Sequence, residues 1–146
     1  MPSISAPVQP IGPIVRLAVL VSDPRREALV AANRPVPNPI LINGLLDTGA
    51  SSTCIDPAVM QSLGLTPTGF VPIITPSTGT TPHMCEQYDV AIAVLLRGSA
   101  VHIIDTLPVI ASPLAHQGHE ALIGRDVLSR AILIYNGHEG NLTLCF

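Results

Sequence analysis

The 146-residue chain predicts a mainly β domain, a small closed barrel or sandwich with one or two short helices. Two observations carry this expectation. Short apolar runs recur between turn signals, from IVRLAVLV (14–21) to the closing AILIYN–GHEG–NLTLCF. The 11 Gly and 15 Pro interrupt every stretch long enough for an extended helix. The length fits one domain, residues 14–146, preceded by a Pro-rich extended arm (1–13) lying outside the core. No internal repeat is present.

IVRLAVLV reads as a strand running into the turn Ser22-Asp23-Pro24. Residues 24–38 read as a loop. REALVAAN offers at most a short helical turn, and RPVPNP forbids regular structure after it. PILINGLLD (39–47) is the next strand and ends in the turn TGASS. After the β-prone Thr53-Cys54-Ile55, Asp56 suits an N-cap, Pro57 the first helical position and Gly64 the stop of a short helix.

Residues 70–96 hold two β-prone arms around PSTGTT. On the outgoing arm Val90, Ile92 and Val94 share one face, with Ala91 and Ala93 opposite. VHIID (101–105) and LPVIAS (107–112) are further strand candidates. ALIG (121–124) is an apolar strand entering the short helix RDVLSR, and a hairpin closes the chain.

Composition excludes several functions. Apolar residues make up 47% and charged residues 12%, with mean hydropathy +0.48, which describes a globular chain rather than a disordered one. Net charge is −3, with no basic run, so neither nucleic acid nor an acidic membrane surface is an expected partner. All seven basic residues are Arg, which rules out lysine Schiff-base chemistry. The apolar runs are too short to span a bilayer, and MPSISAPVQPIGP lacks the charge pattern of a signal peptide. Cys54, Cys85 and Cys145 are odd in number and widely spaced, as for reduced thiols in a cytoplasmic protein.

The chemistry lies in LLDTGASSTCI (45–55). An unpaired acid is rarely buried, yet Asp47 follows two leucines at a strand end and precedes small residues that permit close backbone approach. The plain role for such an aspartate is to cap its own turn. Some 75 residues on, ALIGRDVL brings a second apolar pair and glycine into a short helix, with one long hairpin between.

LLDTGA, a hairpin and ALIGRDVL, in that order, resemble the retropepsin-type aspartic proteases, single-domain enzymes that include the retroviral proteases. The likeness covers about 110 residues, leaving aside the 24–38 insert. It implies an acid-protease barrel with a flap hairpin, working as a C2 homodimer. Asp47 from each chain would meet at a two-fold axis, where two carboxylates share a proton and activate a water for attack on a peptide bond of an extended polypeptide. No cofactor or metal is implied. The sequence has no second Asp-Thr/Ser-Gly, so a single chain would hold half a site.

The resemblance also assigns supporting roles. Thr48 would bond across the axis, while Gly49 and Ala50 line the cleft floor. Ser77, Thr78, Gly79 and Thr80 would form the flap tip over substrate, on arms stiffened by Pro72, Pro76 and Pro82. Leu122, Ile123, Gly124 and Arg125 would support the loop. In retroviral members the arginine pairs with an acid just after the Asp-Thr-Gly-Ala turn. Here that position is Ser51, leaving Asp126 or Asp56 as substitutes, and residues 141–146 are the candidate dimer strand.

Other features have plainer readings. His116, His119 and Glu120 in HQGHE read as a solvated loop rather than a zinc site. Cys54 reads as a buried structural thiol, and Tyr88 as packed on the hairpin with its hydroxyl at the edge. Two rival functions remain: a weakly active or inactive module of the same fold that dimerises or binds peptide, and self-processing of the N-terminal arm.

Overall fold

The computed structural model describes residues 1–146. In chain order it contains β1 (Ser3–Pro7), β2 (Ile14–Val21), α1 (Asp23–Ala31), β3 (Ile40–Leu46), β4 (Cys54–Ile55), α2 (Pro57–Ser62) and β5 (Gly69–Ile73). These are followed by β6 (His83–Leu96), β7 (Ser99–Ala111), β8 (Ala121–Ile123), α3 (Arg125–Leu128), β9 (Ile132–Asn136) and β10 (Asn141–Cys145). Six strands close into a barrel in the order β2-β3-β8-β4-β7-β6, with β6 returning to β2 and β5 extending β6 outward. Closure pairs β2, β3, β8, β4 and β6 on both sides, while β7 meets β4 only at Ile110–Ala111 and keeps an open edge before it.

The apolar runs fill the barrel as their alternation dictates. Leu17 and Val19 of β2, Val90 and Ile92 of β6 and Val109 of β7 are buried in one core with Ile42, Ile55 and Met60. The expected β7 pieces at 101–105 and 107–112 are one strand. A register shift between Val90 and Ile92 sets Asp105 and Thr106 opposite Ala91, so the strand bends there without ending. Around α2, Asp56 caps by accepting the Ala58 N–H at 3.0 Å, and Gly64 takes positive φ after the last turn.

Two expectations are corrected. Residues 24–38 are not loop throughout: α1 spans Asp23–Ala31, with Pro24 in the first turn, where a missing N–H costs nothing. The prolines that forbid a helix begin at Pro35, after α1 has ended. Nor is the N-terminal arm wholly outside the core. SISAP alternates, and as β1 it pairs with β10 and buries Ile4 beside Leu142 and Leu144.

β10 lies in the middle of the sheet β1-β10-β9, so both of its edges are paired within one chain. Residues 141–146 therefore have no free edge to give a partner. The open edges belong to β1 and β9. No helix is long and apolar enough to cross a membrane.

Candidate active site

The strand order β3-β8-β4 explains why two separated motifs meet. The loop 47–53 leaves β3 and returns as β4 on the other side of β8, so LIG lies between the two ends of the LLDTGASST segment. The Asp47 N–H donates to the Ile123 carbonyl at 2.9 Å, and the Arg125 N–H to the Ala50 carbonyl at 2.9 Å. Gly124 sits at the crossing. A Cβ there would lie 2.6 Å from the Ser52 carbonyl carbon, inside any real contact distance, so only glycine fits without backbone movement.

Asp47 is half-buried, while Thr48 and Gly49 are exposed at the loop tip. Its Oδ1 accepts the Gly49 N–H at 2.8 Å, the turn-capping role open to any strand-end aspartate. Oδ2 has no partner within the chain. The Thr48 side chain makes no hydrogen bond within the chain either.

Arg125 braces this loop without an acid. Its Nη1 donates to the Thr48 carbonyl at 2.8 Å and the Gly49 carbonyl at 3.2 Å. Neither expected substitute partner serves it. Asp56 Oδ2 accepts the N–H groups of Leu114 and Ala115, both at 2.9 Å, while its Oδ1 caps α2. Burial pushes the Asp56 carboxyl up, but the three backbone donors outweigh it and hold the group below its usual range. Asp126 is engaged by Thr53, whose N–H and hydroxyl each donate to it at 2.8 Å. Thr53 Oγ1 in turn accepts the Gly124 N–H at 3.1 Å. This clamp, with Thr53 fully buried and Asp126 half-buried, was not assigned from sequence, and its only signal was the Thr of SST and the Asp of GRD.

Asp47 opens into a cleft of about 310 Å³. Its floor includes Gly49, Ala50, Ser51 and Ser52, and Cys54, Ile110 and Leu122 line it further. Its far wall is Ile73 to Pro76, where the β5–β6 hairpin leaves its ladder. Ser77, Thr78, Gly79 and Thr80 lie in the tip beyond the cleft lining. The tip is bonded to itself: Thr78 Oγ1 accepts the Thr75 N–H at 2.8 Å, and Gly79 has φ +61°. Ala50 and the hairpin segment Ile73–Pro76 just before the tip are thus brought together around Asp47, whereas the tip residues Ser77–Thr80 are not.

Cys54 is the cleft's thiol. Burial pushes it up to about 11, with the negative charges of Cys85, Asp126 and Asp47 adding to the effect, so it stays a protonated packing group at neutral pH. Tyr88 is buried in the core and donates to Glu86 Oε2 at 2.8 Å. Burial, then the bond and charge of Glu86, push its hydroxyl up.

The solvated reading of HQGHE holds for His116, which is exposed, and is corrected at His119 and Glu120. His119 is buried with Nδ1 donating to the Ala121 carbonyl at 3.1 Å, and Glu120 Oε2 accepts the Asn43 N–H at 2.9 Å. The segment is held because it leads directly into β8, which supplies the His119 partner, beside β3, which supplies the Glu120 partner.

Among solved structures, the chain is similar to a retropepsin-like aspartic protease from Rickettsia conorii, with TM-score 0.60 and 14% identity over 99% of this chain and 90% of that one. Looser likenesses include simian foamy virus (mac) protease, with TM-score 0.46 and 16% identity over 78% and 91% of the two chains. EIAV protease gives TM-score 0.44 and 16% identity over 81% and 86%. No protein-family model and no curated protein matches the sequence. A six-strand barrel with β8 between the ends of an Asp-Thr-Gly loop, matched along nearly the whole chain, gives this protein a retropepsin-like fold.

Proposed function

We propose that the protein is an aspartic endopeptidase that hydrolyses extended polypeptide through an Asp47–Asp47′ dyad formed across a C2 homodimer. The observation that carries this reading is the setting of Asp47. It stands on an exposed glycine loop at the mouth of an apolar-lined cleft, with Oδ2 free and the loop braced from below by Gly124 and Arg125.

At the dyad the two carboxyls hold one proton between them, because like charges at that separation do not both ionise readily. The ionised member takes a proton from the water lying between them, and its oxygen attacks the scissile carbonyl carbon. The protonated member donates to the carbonyl oxygen. The tetrahedral intermediate then collapses as the leaving nitrogen takes up a proton. Thr48, exposed and unbonded within the chain, supplies a hydroxyl to the opposite loop. Ala50 lines the floor beside the substrate backbone, and the tip Ser77–Thr80 folds down once substrate is bound.

The free edge of β9 is the surface best suited to the second copy. Ile132, Ile134 and Tyr135 are all more than half exposed on it. β1, at the other edge, ends in Pro7 and presents Ser3 and Ser5. The missing acid at position 51 does not argue for an inactive module, since Arg125 braces the loop through backbone carbonyls instead.

Asp47→Asn tests the proposal. Peptide cleavage at mildly acidic pH should fall by about a thousandfold or more, with the dimer retained in sedimentation. Undiminished cleavage by the variant excludes the dyad.

A further inference from the structure

The 24–38 insert has no role in the catalytic reading, yet it builds a second cavity. α1 and the proline segment after it lie over the outer surface of the barrel and enclose about 520 Å³, within the range of small-molecule sites. The outward positions of a barrel strand are ordinarily polar. Here the floor is Ala18 of β2 with Ala91 and Ala93 of β6, each nearly buried, and Val36 and Pro37 form a wall.

The registers give this cavity a direction. Ala18 pairs with Ala93, which pairs with Ile103, at its middle. At one end Leu20 pairs with Ala91, beside Asp105 at the strand bulge, and β2 runs on toward Asp23. At the other end Leu95 pairs with Ala100, and the lining carries no charge. All three charged lining residues therefore lie at one end. Asp23 and Arg26 pair with each other at 3.2 Å, and Asp105 forms no ion pair, so that end has one carboxylate in excess.

The floor also selects against a peptide. Along the alanine floor, Ala18 of β2 and Ala93 of β6 lie on strands paired on both sides, so the floor offers an added backbone few free donors or acceptors, and only β7, which meets β4 at Ile110–Ala111 alone, has an unpaired edge at the cavity's side. Polar groups lying along the floor would go unsatisfied, whereas a methylene chain has none to satisfy. From Ala91 to Leu95 the floor runs roughly 13 Å, the reach of a chain of about ten carbons.

We infer that this cavity is a binding site for a single-chain amphiphile. Its aliphatic tail lies over the alanine floor toward Leu95, and its cationic head, such as a primary ammonium, meets Asp105 and Asp23. The site is separate from the Asp47 cleft and stands whether or not the protein is a peptidase.

Titration calorimetry with n-decylamine below its micelle concentration tests this. The expected result is saturable binding of one molecule per chain, weakened at least tenfold in Ala93→Leu, which fills the floor. Val36→Asn, a change at a partly exposed wall position that adds no charge, should weaken binding similarly and decides the matter if Ala93→Leu does not fold. Decanoate should bind at least about threefold more weakly at low salt, and Asp105→Asn should narrow that gap. No saturable binding, unchanged binding in Val36→Asn, or decanoate binding as tightly as decylamine overturns the inference. Loss of binding in Asp47→Asn overturns it too, by placing the amine in the catalytic cleft.

Discussion

At Asp47 the chain reconciles two demands that conflict in a lone buried acid. The loop is exposed enough in one chain to solvate the carboxylate, and its geometry is fixed by the exposed Arg125 together with buried groups beneath it. Thr53 is the clearest of these, since its single hydroxyl donates to Asp126 and accepts from Gly124. Thr53→Val keeps the volume but strands the buried Gly124 N–H and removes one of the two bonds to Asp126 Oδ1, which keeps the Val127 N–H, and should cost about 1–3 kcal/mol in chemical denaturation. Asp56 performs a comparable task by joining α2 to the segment at Leu114–Ala115. Asp56→Ala should cost about 2–4 kcal/mol at neutral pH. The sign of its pH dependence follows from the lowered folded-state value. The stabilisation is fully present above the usual 3.8 and is lost as pH falls below 3.8 through the folded value. Wild type and Asp56→Ala melting curves should therefore converge in that acid window; a constant gap would contradict the assignment. The N-cap role of Asp56 was legible because Asp-Pro before an apolar run is a local signal. Its bonds to residues 58 positions away were not, and neither was the Thr53–Asp126 pair.

Among the elements, local signals and long-range pairings separate in the same way. α2 was readable from cap, proline and glycine. β6 was readable as an alternating strand, Val90-Ile92-Val94 on one face and the alanines on the other. α1 was lost to the prolines that follow it, because RPVPNP dominates any window that includes it. β1 was lost because five residues of weak alternation make a strand only when β10 is beside them. The terminal strand pairing was likewise beyond the sequence: nothing in NLTLCF states that both its edges will be filled from its own chain. That filling moves the expected dimer contact to β9. Ile132→Lys with Ile134→Lys should convert the dimer to monomer in sedimentation velocity and reduce peptide cleavage with it, while the thermal midpoint of the exposed-face variant changes little. A variant that stays dimeric would place the partner elsewhere.

For the whole molecule, the proposed dimer would make the site of one chain a half. On that proposal one chain supplies one acid, one hairpin and one floor of a symmetric cleft, and a second copy supplies the rest. The resemblance of LLDTGA and ALIGRDVL pointed to the retropepsin-like fold because the two motifs are brought together by the β3-β8-β4 order, a property of the entire barrel. Mixing subunits tests the shared-acid claim most directly. Wild type is combined with Asp47→Asn at constant total protein, allowed to exchange, and assayed for peptide cleavage. If each active unit needs an acid from both chains, activity follows the square of the wild-type fraction and an equal mixture retains about a quarter. Activity that instead stays proportional to the wild-type fraction, about half in the equal mixture, would show that each chain works alone and would contradict the account.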